Sequence, residues 1–350
     1  MIPILYEKDE TAFTSNGICR LPECISCTVT EERNGIYECT FEYPIAGGHF
    51  DELECGRIIA VTHDDTGDIQ PFDIISYTRP INGVVTFHAV HISYRQTEMT
   101  VRGTSINSLA SALTLMKSAS PSNPFTYKTN ITSTAYFGAG DGIPRTVRNM
   151  LGGVEGSILD TYGGEYEFNM GYVTLWEKRG ILRDITIRYG VNMTEFTEDL
   201  DYSESYNACV PYWKNDSTII IGAVQRLDNA SYDGIDACVP LDLTDRFASQ
   251  PTAALVGLEG YKYMRGNQTY LPSRNIKVNF IKLADTEEYK QFAPLQKCLL
   301  CDSVTVVFPR YNMEGTFKIV KVVWDVLQER YTEMELGNLS ISLAQALGIK

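Results

Sequence analysis

Residues 51–94 read DELECGRIIAVTHDDTGDIQPFDIISYTRPINGVVTFHAVHISY. The stretch spells a compact β meander. Residues 53–61 form a strand entered through Gly56, and 63–68 a polar turn. A second strand follows at 72–77, then the turn Pro80-Ile81-Asn82-Gly83, whose Asn-Gly pair suits positive φ, then a third strand at 84–91. The same order returns near the other end: strand 300–308, turn 311–315, strand 317–324, strand 331–336. Order and spacing match while residue identity is low, so the pattern predicts a structural repeat.

Working outward, residues 18–43 add a hairpin in front of the meander. Strand 25–30 leads through Glu31-Glu32-Arg33-Asn34-Gly35 to a return strand in which Tyr37, Cys39, Phe41 and Tyr43 alternate with Glu38, Thr40 and Glu42. Such alternation gives one buried and one wet face. Its later counterpart is read at 204–210 and 218–224 around a turn at Lys214-Asn215-Asp216-Ser217, which makes 225–274 an insertion splitting the second copy. Between the copies the composition changes. Residues 105–117 place Ile106, Leu109, Leu113 and Met116 on one helical face with Ser105 as N-cap. A second helix carries Pro144 in its first turn and stops at Gly152-Gly153, a third spans 157–162, and strands follow at 165–170, 172–178 and 184–189. In the insertion, helices are expected at 243–247 and 252–264.

The expected fold class is a mixed β-rich α+β chain. A first β-barrel domain takes 1–95 and an α+β domain 96–202. A second barrel takes 203–224 with 275–337, a mixed domain is inserted at 225–274, and 338–350 is a tail or short helix.

At 350 residues the chain exceeds one ordinary core, and 44% hydrophobic and 11% aromatic residues suffice to fill several. Forty-four acidic against 30 basic residues, net −14, argue against a nucleic-acid-binding surface. The opening Met1 to Lys8 lacks the basic region and apolar run of a signal peptide. No stretch approaches the roughly 18 apolar residues of a membrane span. The expectation is a protein made in the cytoplasm without a membrane anchor. Nine cysteines scattered through strands do not read as a secreted disulfide framework.

Several constellations invite chemistry. Cys24-x-x-Cys27 and Cys298-x-x-Cys301 supply four thiolates for a zinc tetrahedron, but residues three apart on a strand point to opposite faces, and the reading favoured is structural thiols. His88 and His91 meet the same objection to metal ligation, and all four histidines, His49, His63, His88 and His91, lie in the first hundred residues. Gly138-Ala139-Gly140-Asp141-Gly142 lacks the lysine and spacing of a phosphate loop. The loop Asp228 to Asp236 puts Ala230 and Tyr232 where a calcium loop needs oxygens. Glu31-Glu32 and Glu287-Glu288 read as solvated acids rather than catalytic dyads. No catalytic, cofactor-binding or metal residue is nominated, and no enzymatic activity is expected.

Ile18 to Tyr43 with its Glu31–Glu38 turn, Leu53-x-x-Gly56-Arg57-Ile58-Ile59, Phe72-Asp73-Ile74 and His88 to Tyr94 resemble the N-terminal region of phage minor structural proteins. These are the tail-tip hub or tail-associated lysin proteins of long-tailed phages, also called prophage endopeptidase tail proteins. The resemblance continues in Gly163-Gly164-Glu165-Tyr166-Glu167-Phe168, Ile187-Arg188-Tyr189-Gly190, Asn192-Met193, 299–306 and 329–337. It implies two duplicated hub-type β-barrel domains with accompanying α+β domains, similar to the baseplate hub of contractile phages. It also implies a homotrimer at the virion tail tip that continues the tail channel, with distal tail protein, tape measure protein and receptor-binding or tip proteins as partners. The motifs are turns and strand starts, which specify a scaffold and no active site. One departure is that the glycine of the family's Leu-Gly-Asp-x-Val strand start is Cys301, from which the backbone there is expected not to need a glycine-only conformation. Members with cell-wall activity carry the hydrolase in a C-terminal extension, and this sequence stops at Lys350. The competing readings are the scaffold part of a tail endopeptidase and the hub of a contractile bacteriocin or injection system.

Overall fold

The structure is a computed structural model that describes residues 1–350 except 82, 104–105, 107, 133–142, 155, 228–236, 248, 281–296, 312 and 338–350. The expected Asn82 turn residue, Ser105 cap, 138–142 loop, 228–236 loop, Glu287-Glu288 pair and C-terminal tail or helix lie wholly or partly outside the described residues.

The first sheet is built from β1 (Ile4–Tyr6), β2 (Cys19–Arg20), β3 (Ser26–Glu32), β4 (Tyr37–Pro44), β5 (Ile58–Thr62), β6 (Ile69–Thr78) and β7 (Val84–His91), in the order β3-β4-β7-β6-β5-β1-β2. The alternation read from the sequence is what places the core: Tyr37, Cys39, Phe41 and Tyr43 of β4 are buried with Val29, Phe72, Ile74, Val85 and Phe87. Phe41 and Phe87 stack at 4.9 Å.

A middle unit follows: β8 (Thr100–Arg102), α1 (Leu109–Lys117), β9 (Thr126–Thr129), β10 (Pro144–Thr146), α2 (Val147–Leu151), α3 (Ile158–Tyr162), β11 (Glu165–Asn169) and β12 (Tyr172–Trp176). Here the expected helices move. The cap of α1 is Ser108, whose hydroxyl accepts from Ser111 N. Pro144 lies in strand β10, paired with Arg102, so α2 starts one turn later on a Thr146 cap.

β13 (Leu182–Arg188) and β14 (Met193–Asp201) lead to an insert. It holds β15 (Ala208–Lys214), β16 (Ile219–Ile221), β17 (Gln225–Arg226), β18 (Cys238–Asp242) and α4 (Ala253–Asn267). The chain returns through β19 (Ser273–Phe280), β20 (Ser303–Phe308), β21 (Met313–Asp325) and β22 (Arg330–Gly337). The expected partition of this half is corrected. β15 pairs with β16, β17 and β18 inside the insert, whereas the strands that flank β19–β22 are β14 and β13. Residues 203–224 therefore belong with the insertion, and 182–201 with the second sheet. The physical reason is that β14, MTEFTEDLD, is acidic and exposed along most of its length and lacks the apolar alternation that β15 displays.

The second sheet runs β14-β19-β22-β21-β20-β13, the same succession as β3-β4-β7-β6-β5-β1. Its core is mainly aliphatic, with Ile187, Ile276, Val304, Val306, Ile319, Val322 and Leu336 beside Phe308 and Phe317. The likeness extends to individual hydrogen bonds. Before β5, Arg57 N donates to Glu54 O, Gly56 N to Ile74 O, and Ile74 N to Arg57 O. Before β20, Asp302 N donates to Leu299 O, Cys301 N to Ile319 O, and Ile319 N to Asp302 O. Each is a tight turn feeding a β-bulge in which two residues face one. The register of β6 on β7 then slips between Ile74 and Ser76, and that of β21 on β22 between Ile319 and Lys321. One difference stands: β1 runs antiparallel to β5, and β13 parallel to β20.

Cys301 takes the place that Gly56 holds in the first sheet. Its φ is +71°, beside +91° at Gly56, so the position does use the left-handed conformation that glycine favours.

Candidate functional site at the junction of the two sheets

The 13-residue strand β21 joins the sheets. Its first half pairs with β20, and its second half, Lys321–Asp325, lies antiparallel to β3 with Lys321 opposite Glu32 and Asp325 opposite Thr28. Arg33 N donates to Val320 O at 2.8 Å and Val326 N to Cys27 O at 2.9 Å, closing both ends of the ladder. Trp324 and Val326 thereby enter the core of the first sheet. The Trp324 indole N–H donates to Thr62 Oγ1 at 3.3 Å, and its ring meets Tyr331 edge-on at 4.8 Å.

Above this ladder, five charged side chains from three parts of the chain converge. Lys318 of β21 donates to both oxygens of Glu165, at 2.6 and 2.8 Å, and Arg33 Nη1 donates to Oε1 at 2.9 Å. Glu165 Oε2 also accepts from Arg179 N at 2.6 Å, while Arg179 Nη1 donates to Glu31 Oε1 at 3.0 Å. Glu165 is 4% exposed, Glu31 5% and Lys318 8%. Burial would lower the Arg179 pKa, but the charge and hydrogen bond of Glu31, with Cys301 and Glu167, together outweigh it and hold the guanidinium charged. Asn34 stitches the same place, donating to Gly164 O and accepting from Tyr166 N. Pairing at this density is what allows such charges to be buried. The reading of Glu31 as a solvated acid is thus corrected, and Glu32 is held by Lys321 at 3.2 Å. A shallow cleft of about 390 Å³ opens beside Glu165 and Lys318, but both of these side chains are already committed to each other. The arrangement can lock three structural units together; it presents no activated nucleophile.

A second polar group sits inside the first sheet. His91 stacks on Tyr37 at 4.4 Å, accepts from Ser93 N through Nδ1, and faces Gln70 Oε1 through Nε2 at 3.3 Å. Burial holds its pKa well below the ordinary histidine value, so it is neutral. Nearby, His63 and Asp64 form an ion pair at 3.1 Å. Burial pulls the His63 pKa down, yet the hydrogen bond and charge of Asp64, with Glu31 and the Asp68 carbonyl, together raise the net value, while Asp64 is lowered to about 2 against its own burial by His63 and the hydrogen bonds from Thr66 together. Gln70 reaches the middle unit, donating to Asn169 Oδ1 and accepting from Met170 N. The cluster therefore fixes β11 and β12 against the first sheet.

The sequence candidates are dispersed. Cys27 lies in the first core, 3.7 Å from Cys39, and Cys298 and Cys301 lie in the second. Cys24 departs from the expected geometry. It sits in a turn before β3, and the adjacent Cys27 thiol, with burial, raises its pKa. Burial likewise pushes Cys301 up to about 12. His88 is exposed and His91 buried on β7. Among the described residues no three His, Cys, Asp or Glu side chains converge as metal ligands. Sequence reasoning missed the five-charge junction, whose members are far apart in the chain; the only local signals are the Gly163-Gly164-Glu165 and Arg179-Gly180 turns.

No family model and no curated protein matches the chain. Solved structures do. It is similar to the prophage tail protein gp18 from Listeria monocytogenes EGD-e, with TM-score 0.66 and 15% identity over 99% of this chain and 98% of that one. The tail protein from Neisseria meningitidis MC58 gives 0.62 and 11%, over 99% and 98%. The 43 kDa tail protein of prophage MuSo2 from Shewanella oneidensis gives 0.60 and 8%, over 99% of each chain. No helix among the described residues is long and apolar enough to cross a membrane. Similarity that spans the chain nearly end to end at such low identity establishes architecture, and the architecture is that of prophage tail proteins.

Proposed function

We propose that the chain is a structural hub of a phage or prophage tail tip or baseplate, acting as scaffold and channel rather than as an enzyme. The observation that carries this reading is the matched pair of sheets. A chain with two equivalent barrel domains, residues 1–95 and residues 182–201 with 273–337, lets three copies present six similar units around one axis. Such a ring would join a sixfold tail tube to threefold tip components, with distal tail, tape measure and receptor-binding proteins as neighbours. The middle unit and the insert, occurring once per chain, would then stand at threefold spacing. A net charge of −14 suits a channel through which DNA slides without adhering. Cryo-electron microscopy of assembled tails tests this: three copies with six superimposable sheets about the axis are expected. Six copies per tip, or sheets that do not superimpose, would reject it.

A further inference from the structure

The contact that joins the two sheets inside the chain has an equivalent elsewhere on the molecule that no described strand fills. Within the chain, the second half of β21 pairs with β3. The turn, bulge and register slip described above align β21 with β6 without insertion or deletion, setting Ile319 on Ile74, so Lys321–Asp325 corresponds to residues 76–80 and Val326 to Ile81. Through their shared partners, β3 corresponds to β14: Val29 lies opposite Cys39, which faces Ala89, and Glu198 lies opposite Ile276, which faces Leu336. Both counterparts lie at edges among the described residues. β5 covers β6 only as far as Asp73, residues 75–78 are exposed, and β14 ends the strand order with β19 as its neighbour.

We propose that the end of β6 and its turn, residues 76–81, add to strand β14 of a second copy of this chain. The pairing is antiparallel, from Ser76 opposite Asp201 to Ile81 opposite Phe196. The inference rests on the ring assembly above and supplies its contact between copies. Three independent features fit this register. Tyr77 meets Leu200, and these are large apolar side chains 39% and 45% exposed. Arg79 meets Glu198, giving opposite charges on a directly facing pair. Ile81, fully exposed, takes the place of Val326, which is fully buried in the first core, and lands on Phe196 at the margin of the second core.

Proline supplies a fourth check. In the internal ladder, Val320 and Val326 exchange hydrogen bonds with β3, so alternation assigns the bonding positions to 320, 322, 324 and 326. Pro80 corresponds to Asp325, a position whose N–H faces away from β3, so its missing donor costs this ladder nothing. Residues 76–78, exposed and uncharged, form a strand end of the kind that is a template for strand addition.

The test is disulfide trapping in full-length chain assembled into tails, in a Cys55→Ser/Cys238→Ser background that removes the exposed thiols. Thr78 and Asp199 face each other at a non-bonding position, so Thr78→Cys/Asp199→Cys oxidised with diamide should convert most of the protein to reducible dimers and trimers, with trimer the largest species. Either single variant alone should stay at chain mass, and Thr78→Cys with Phe196→Cys, out of register, should cross-link at least tenfold less. Trimeric tips by native mass spectrometry without the 78–199 cross-link would overturn the proposed contact and leave the hub reading standing. Tips without three copies would remove both.

Discussion

The two sheets share a succession of six strands, an entry turn and a register slip, yet their interiors are filled in different proportions. The first is packed with aromatic rings around a buried polar group of Tyr37, Gln70 and His91, whereas in the second valine, isoleucine and leucine predominate beside Phe308 and Phe317. What was kept is the backbone hydrogen-bond pattern, because the turn and bulge set strand direction and twist. What was free to change is any side chain whose volume another could fill. The sheets also differ at their edges. β3 of the first is covered by β21 and its hairpin turn is tight, while β14 of the second ends the strand order and its hairpin opens into the insert.

The largest expected effect tests whether the sheets stand or fall together. Glu165→Ala leaves Lys318 and Arg33 buried without their carboxylate, and loss of one member of a buried ion pair costs about 3–5 kcal/mol. Urea unfolding should show a midpoint lowered accordingly, for fluorescence of Trp324 and for total secondary structure alike. A loss below about 1 kcal/mol would mean the charge cluster does not hold the junction.

The next contrast sets equivalent positions against each other. Trp324→Ala empties a site in the first core and should cost about 3–5 kcal/mol, whereas Arg79→Ala, at the matching exposed place on β6, should change the isolated chain by less than about 0.5 kcal/mol. Equal effects would break the alignment of β6 with β21.

Near neutrality the difference should show as pH dependence confined to one sheet, since all four histidines lie before residue 100. His91 has a folded pKa below 6.5, so the unfolded chain takes up its proton first and stability is lost as pH falls below about 6.5. His63 acts in the opposite sense: its raised folded pKa contributes fully below 6.5, and the contribution is lost as pH rises through the folded value. Asp64 adds a second acid limb, from 3.8 down to about 2. Amide protection, corrected for the pH dependence of intrinsic exchange, should fall from pH 7 to pH 5 in β4, β6 and β7 more than in β20, β21 and β22, and His91→Phe should remove that loss and leave the opposite contribution of His63. A uniform loss of protection in both sheets would count against the assignment.

These contrasts also mark what the sequence discloses. The first sheet is legible because β4 alternates strictly and Gly56 and Gly83 punctuate its turns at positive φ. The second is legible in its last three strands, while β13 reads as a strand of the middle unit. β14 carries four carboxylates in nine residues and buries little, so nothing local distinguishes it from a loop, and β15 in the insert imitates a barrel strand better than the true one does. The charged junction is invisible for another reason. Glu31, Arg33, Glu165, Arg179 and Lys318 are separated by up to 287 positions, and each alone reads as an ordinary surface charge until the fold brings them within 3.0 Å of a partner.

The smallest expected effect tests the equivalence at its most local, where Cys301 replaces glycine. Two terms oppose each other. A residue with a Cβ held at φ +71° carries strain of about 1 kcal/mol or more, which glycine would relieve. Against this, the Cys301 sulfur is fully buried, and losing it costs about 0.8 kcal/mol if it is counted like one methylene. Cys301→Gly should therefore fall within about 0.5 kcal/mol of the parent, near cancellation. Cys301→Ala keeps the strain and loses the sulfur, so it should be less stable than Cys301→Gly by about 1 kcal/mol. At the matching position, a Cβ on Gly56 meets nothing within 4 Å, so Gly56→Ala should cost about 1 kcal/mol from backbone strain alone. Chemical denaturation of the three variants decides the matter. If alanine at 301 proved more stable than glycine there, the left-handed turn would not be shared, and the two strand entries would be alike only in outline.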